Sequence, residues 1–213
     1  MKFVEILAPG FEEIEAMSPV DYLRRGGVEV VVAGIYAWGE KYSSVIHGAH
    51  GIKVECDISF DEYLSSMNGE LPDGIIIPGG MPGAANIGAN KQVLDLIQKM
   101  NDAQKFVCAI CAAPIVVLAQ TGVLAGKQFT CYPGMEQNIA KYIPDPEKIN
   151  DLMAGSYLNL EKSNVRDGNI ITVLCEKPNN EIFETDFTIK RPLNRNYLED
   201  QNKVLYLNEE AIK

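Results

Sequence analysis

A chain of 213 residues, 46% of them hydrophobic, can bury a substantial core as one domain with room for an appendage. Its formal net charge of −10 argues against nucleic acid and anionic membrane surfaces as partners, since both are bound through basic patches. No apolar run approaches the roughly 18 residues of a membrane span, and Cys56, Cys108, Cys111, Cys131 and Cys175 follow no repeating spacing, which fits reduced thiols in a cytoplasmic setting better than a disulfide scaffold.

The first run, KFVEILA, reads as a strand with no signal-peptide pattern before it. EEIEAMSPVDYLRRGG follows as a helix stopped by paired glycine. Glu12, Glu13 and Glu15 fall in its first turn, where acids complement the helix dipole; spacing alone does not say which of them turns toward the sheet. VEVVVAG is a buried strand. YSSVIHGAHGIKVECD holds two short strand-like pieces turning at Gly48 to Gly51, an edge hairpin that carries both histidines, His47 and His50, as exposed residues. SFDEYLSSM is a short helix with Ser59 as its N-cap. DGIIIPGG is a strand ending in a glycine pair, NKQVLDLIQKMND an amphipathic helix, KFVCAI a strand, and AAPIVVLAQTG a helix. KQFTCYPG gives another strand and turn, and RDGNIITV a late strand.

Strands alternating with helices at this spacing predict a mostly parallel sheet covered on both faces, and such sheets bind ligands beyond the C-terminal ends of their strands. Three of those ends are chemically unusual: LAPGFEE, IPGGMPG and CAICAAP. Pro78 ends its strand, and Gly79 and Gly80 allow main-chain conformations closed to other residues, so amides there can form a carboxylate or oxyanion cradle. Cys108 and Cys111 do not read as a redox CxxC pair. Cys108 lies inside the strand as a small apolar residue, and extended backbone over three residues does not bring Cα atoms within about 7 Å. Cys111 precedes Ala112, Ala113 and Pro114, the layout of a nucleophile on a sharp strand-to-helix bend, with the Ala112 N–H as the natural oxyanion donor and helix N-terminal amides favouring a thiolate.

The segments LAPGFEEIEAMSPVDYLRRGG, IIIPGGMPGAANI, CAICAAPIVVLAQTGVLAGK and TCYPGMEQNI, in that order, resemble the DJ-1/ThiJ/PfpI family, its DJ-1-like branch above all, over residues 1–172. The resemblance implies a flavodoxin-like three-layer α/β sandwich with a nucleophile elbow, a homodimer, and no cofactor. It matches the family's cysteine to Cys111, its partner glutamate to Glu15, and its backbone donors to Gly80 and Ala112, beside Gly79. Arg25 and His50 fall where relatives place interface groups. A glutamate and a thiol within hydrogen-bond reach titrate as a pair; if Glu15 keeps the proton, it stabilises the Cys111 thiolate. That thiolate can attack a small carbonyl such as methylglyoxal, giving lactate with Glu15 as general acid and base, or be oxidised by peroxide to a sulfinate. Enzyme, of glyoxalase or deglycase type, and non-enzymatic redox sensor or chaperone-like protein are therefore the two expectations. A PfpI-type cysteine peptidase is the third and weaker one, because Ala112 stands where peptidase-type members offer a histidine.

Two departures accompany the likeness. Tyr132 occupies the position where several members carry a histidine, and tyrosine is a poor base near neutrality. With two histidines and no paired ligand spacing, no metal site is expected. Residues 173–213 leave the family pattern: the tail has no glycine, and DFTIK and KVLYL alternate instead of showing helical spacing. The tail reads as a hairpin, as irregular packing or as an altered reading frame, and the loss of the family's C-terminal helix would leave an apolar sheet face uncovered.

Overall fold

The computed structural model describes residues 1–36 and 44–174, and the backbone of two short strands in the tail. Strand β1 (Lys2–Leu7) leads into helix α1 (Glu13–Arg25) and strand β2 (Glu29–Gly34). A two-stranded ribbon, β3 (Val45–His47) and β4 (Lys53–Glu55), precedes the short strand β5 (Ile58–Ser59) and helix α2 (Phe60–Ser66). Then come β6 (Gly74–Ile77), α3 (Gly83–Gly88), α4 (Lys91–Asp102), β7 (Phe106–Ile110) and the single turn α5 (Ala113–Val116). The remainder of this unit is β8 (Gln128–Phe129), α6 (Ile139–Tyr142), α7 (Pro146–Leu152), β9 (Tyr157–Leu158), β10 (Asn164–Asp167) and β11 (Ile170–Val173).

Seven strands form one sheet in the order β10-β11-β7-β6-β1-β2-β5, parallel throughout except for the antiparallel edge pair β10–β11. The alternation in β1 shows how the layers arise, because successive side chains point to opposite faces. Val4 and Ile6 enter one core with Ile75, Ile77, Val107 and Ala109, closed by α2, α3, α4 and α5. Phe3 and Leu7 enter the other with Val30, Val32 and Ile76, closed by Ala16 and Val20 of α1. Each fully buried Ile or Leu contributes on the order of 2 kcal/mol through removal from water. The result is a flavodoxin-like three-layer α/β sandwich. Among the described residues no helix is long and apolar enough to cross a membrane.

Local chemistry explains most element ends. Ser59 caps α2 through a capping box with Glu62, and Asn90 caps α4 by accepting from Gln92 and Val93. Gly74 stands between Phe3 and Phe106 in the strand register, and its missing Cβ leaves the rings stacked with centroids 6.2 Å apart. Four expectations change. The hairpin around Gly48–Gly51 is a separate ribbon, pinned to the loop after β1 by Gly10 N–H to His47 O (2.8 Å) and Ala49 N–H to Phe11 O (2.8 Å). The helix expected over AAPIVVLAQTG breaks after Val116 into a 3-10 turn, Leu118–Thr121, closed by Gly122 at φ +76. RDGNIITV is two strands, because Gly168 at φ +64 turns the chain between Asp167 and Ile170. The strand in KQFTCYPG shrinks to Gln128–Phe129, which pairs with β9 in a sheet of its own.

One strand position breaks the apolar pattern. Glu5 has the parity of Phe3 and Leu7, is 0% exposed, and among the described residues neither of its carboxylate oxygens has a hydrogen-bond partner. Burial alone drives its carboxyl well above the ordinary glutamate range. On the far side of the same sheet face, Phe106, Cys108, Ile110, Ile171 and Val173 are half-buried, whereas the reverse face of β7 and β11 is buried.

The chain forms two compact units, Met1–Cys175 and Glu176–Lys213. In the second, Phe187–Thr188 and Tyr206–Leu207 pair antiparallel, within the two alternating stretches DFTIK and KVLYL. The rest of the tail, and with it the expectation about what covers the sheet, lies outside the described residues.

Candidate functional site

Three loops meet at the C-terminal ends of β1, β6 and β7, and they meet as backbone. Gly83 N–H donates to Gly10 O (3.0 Å), and Glu12 N–H donates to Gly79 O (3.1 Å). Gly80, at φ +85, lies so close to the main chain of Gly10, Phe11 and Glu12 that any Cβ would collide with it. The glycines at this junction are therefore required by approach as well as by conformation.

Cys111 ends β7 at φ +60, a left-handed conformation that costs a non-glycine residue roughly 1–2 kcal/mol. Two hydrogen bonds hold it there. Its N–H donates to Val173 O (2.8 Å), and its carbonyl accepts from Tyr132 N–H (2.7 Å). Pro114 stands in the first turn of α5, as the sequence suggests. That helix is a single turn, however, so its dipole adds little at this position.

Glu15 is 7% exposed and reaches back from α1 to the sheet, where its Oε2 accepts the Gly79 N–H at 2.7 Å. An ideal Cβ on Gly79 would lie 2.5 Å from Glu15 Oε2 and 2.7 Å from the Cys111 Cβ. Glu15 and Cys111 thus flank the one spot that the missing side chain leaves open. Gly79, expected among the amide donors, gives its N–H to this carboxylate and so acts on Glu15. Gly80 and Ala112 fit the donor part better: among the described residues neither gives its N–H to a main-chain carbonyl.

The first turn of α1 divides its acids by task. Glu12 is the N-cap, accepting from Glu15 N–H at 2.7 Å. Glu13 is 4% exposed and clasps the ribbon tip: Oε1 accepts from His50 N–H (2.7 Å) and Ile52 N–H (3.4 Å), and Oε2 pairs with His50 Nδ1 (2.8 Å). Burial pushes the Glu13 carboxyl up, but the bonds from the His50 ring and amide and from Ile52 outweigh it and hold it below the usual range. The same hydrogen bond, then the charges of Glu13 and Glu12, raise the His50 imidazole. The sequence reads His50 as an exposed hairpin residue and interface candidate, and its ring is exposed, while the spacing leaves open which of Glu12, Glu13 and Glu15 turns toward the sheet; the Glu13–His50 pairing spans 37 positions, and no local spacing signals it. Glu12, Glu13 and His50 are also the one described group with metal-capable atoms within 4.8 Å of one another, although Glu13 and His50 are bonded to each other there.

The other nominated residues sort plainly. Tyr132 is half-buried and touches the elbow through its main chain. Arg25, in the last turn of α1, forms an exposed pair with Asp21 at 2.8 Å and does not join the site. None of the four described cysteines is in a disulfide. Burial drives the Cys56 thiol up to about 11 and those of Cys108 and Cys131 up to about 12, with nearby Asp57, Glu5 and Glu136 adding to it respectively. Among the four described cysteines, those three present almost no thiolate near neutrality.

Comparison with known proteins follows the same lines. The family model described as the DJ-1/PfpI family matches residues 1–179. Protein dj-1beta of Drosophila melanogaster is 35% identical over 169 residues, covering 78% of this chain and 77% of that protein. Deglycase PfpI of Pyrococcus furiosus is 32% identical over 139 residues, 65% of this chain and 76% of that one. Among solved structures, oxidized Toxoplasma gondii DJ-1 superposes with a TM-score of 0.64 at 30% identity, covering 82% of each chain.

Proposed function

Because this chain belongs to the DJ-1/PfpI family, we propose that Cys111 and Glu15 act together on small reactive carbonyls, in a deglycase- or glyoxalase-type reaction without a cofactor. The observation that carries the reading is the shared gap at Gly79, with Glu15 Oε2 on one side and the Cys111 Cβ on the other. The deglycase names of archaeal relatives at about 30% identity support the same substrate class.

With methylglyoxal the steps balance as follows. The Cys111 thiolate adds to the aldehyde carbon, and the new oxyanion takes a proton from Glu15, giving a hemithioacetal. Amides of Gly80 and Ala112 stabilise the oxyanion as it forms. The Glu15 carboxylate then removes the hydrogen from that carbon and returns a proton to the adjacent one through an enediol. The product is a lactoyl thioester on Cys111. Water hydrolyses it to lactate and restores the thiol, so methylglyoxal plus water becomes lactate with no external oxidant. Tyr132 can donate a hydrogen bond nearby but is no base for this step. A homodimer, a cytoplasmic location and a role in carbonyl stress belong to this reading through the family likeness.

Lactate release from methylglyoxal by the wild type, Cys111→Ser and Glu15→Gln tests it. Turnover in the wild type with loss in both variants is expected; turnover surviving in Cys111→Ser would remove the cysteine mechanism.

A second reading, a redox sensor working through Cys111 oxidation, is favoured by one observation: Cys56, Cys108 and Cys131 are all held as unreactive thiols. Peroxide would then write its signal on one sulfur.

A further inference from the structure

We propose that Glu13 is a positioning residue for the Cys111–Glu15 pair, holding the ribbon tip through His50 and thereby fixing the first turn of α1 against the glycine junction. The inference rests on the reading of Cys111 and Glu15 as the reactive pair and adds a residue outside it.

The physical path is continuous. Glu13 receives the His50 and Ile52 amides and the His50 ring, and Gly48 packs against its side chain so closely that no Cβ fits there. The ribbon tip is tied to the preceding loop by Gly10 N–H to His47 O and Ala49 N–H to Phe11 O. That loop is in turn the wall against which Gly80 and Gly83 lie, and its Glu12 N–H takes the Gly79 carbonyl. Gly79 N–H holds Glu15. A carboxylate that is 4% exposed, adjacent to the cap and two residues before the reactive acid, is thus the point where a distant ribbon and the catalytic turn are joined.

Half of the clasp is a titrating group. His50 is an exposed imidazole, 71% accessible, facing Glu13 and Glu12 from α1; on its own ribbon, His47 and Lys53 stand opposite each other in the register. The ion pair is complete while Glu13 is ionised and His50 protonated. Raising the pH through the elevated imidazole value removes the charge on the ring and leaves three hydrogen bonds from neutral donors to the Glu13 carboxylate. Glu15 is then less firmly placed, and Cys111 loses part of its activation.

The test measures alkylation of Cys111 by iodoacetamide between pH 6 and 9 in the wild type, His50→Lys, His50→Leu and Glu13→Gln, with thermal unfolding followed in parallel. Lysine keeps a cation at position 50 throughout this range, and dividing each variant's rate by the wild-type rate isolates the pH dependence that position 50 contributes. The expected ratio for His50→Lys starts near one at pH 6 and rises about threefold by pH 9, while that for His50→Leu, which lacks the ring hydrogen bond at every pH, starts below one and rises with pH without reaching it. Glu13→Gln is expected to slow alkylation about fivefold or more at every pH. Ratios that stay flat with pH for both His50 variants overturn the proposal, and since these are exposed positions the result does not depend on whether Glu13→Gln folds. Alkylation needs no substrate, so absence of lactate formation would remove the proposed reaction while leaving this inference standing or falling on its own data.

Discussion

Glu15 Oε2 accepts the Gly79 N–H at 2.7 Å, and the glycine that donates it leaves no space for a side chain between that oxygen and Cys111. The two residues are 64 positions apart, and the bond between them is buried. Gly79→Ala is therefore expected to displace the acid, the thiol or both while leaving the sheet intact. Activity on methylglyoxal should fall by about 100-fold, the usual cost of misplacing a reacting group by an ångström. Paired circular dichroism and lactate assays check this; an alanine variant with wild-type turnover would show that the gap has no catalytic meaning.

The two tasks given to Glu15, holding the thiolate and moving the proton, separate by substitution. A glutamine amide still donates a hydrogen bond but transfers no proton, so Glu15→Gln should retain Cys111 alkylation within about threefold while turnover falls by about 100-fold or more. Glu15→Leu loses both, with alkylation at pH 7 down by about tenfold for each unit by which the thiol pKa rises. Measuring the alkylation rate and turnover on the same samples distinguishes the roles.

Thiol environments predict selectivity toward peroxide. Cys56, Cys108 and Cys131 are shielded by burial, at about 11, 12 and 12, and present almost no thiolate at pH 7. Mild peroxide should convert Cys111 to the sulfinate before any of these three is modified, as read by peptide mass spectrometry. Oxidation spread evenly over the four sites would count against both the site and the sensor reading.

Glu5 makes stability depend on pH in a definite direction. Its folded-state carboxyl is raised above the unfolded value of about 4.5, so the folded chain holds the proton longer than the unfolded one. This contribution is fully present below pH 4.5 and is lost as the pH climbs through the raised value. Glu5→Leu, which fills a similar volume without the unpartnered oxygens, should stabilise the protein at pH 7 by about 1–3 kcal/mol. The gain should shrink toward pH 4.5. Urea midpoints for both proteins at pH 5 and pH 8 provide the comparison, and a gain that does not grow with pH would mean that Glu5 finds a partner.

Much of this is legible in the sequence. The strand–helix alternation and the elbow follow from short-range features: an apolar β-branched run, then small residues and a proline after Cys111. The assignment of the three acids is not, because Glu12, Glu13 and Glu15 share one helical turn, and what separates them is an N-cap, a ribbon and a glycine loop that arrive from elsewhere in the chain. The helix after the elbow was overestimated for a related reason. Gln120 donates its side-chain amide to the carbonyls of Val116 and Gly88, where a continuing helix would have used the Val116 carbonyl for its own ladder. Glu5 was written in KFVEILA but only the sheet register shows that no water reaches it.

The left-handed turn at Cys111 carries a lesson for anyone altering this protein. Serine and alanine, unbranched at Cβ like cysteine, inherit a similar backbone cost, so these controls differ from the wild type chiefly in chemistry. Glycine escapes that cost. At this one torsion, then, durability and reactivity pull in opposite directions: the residue that the backbone would favour carries no sulfur.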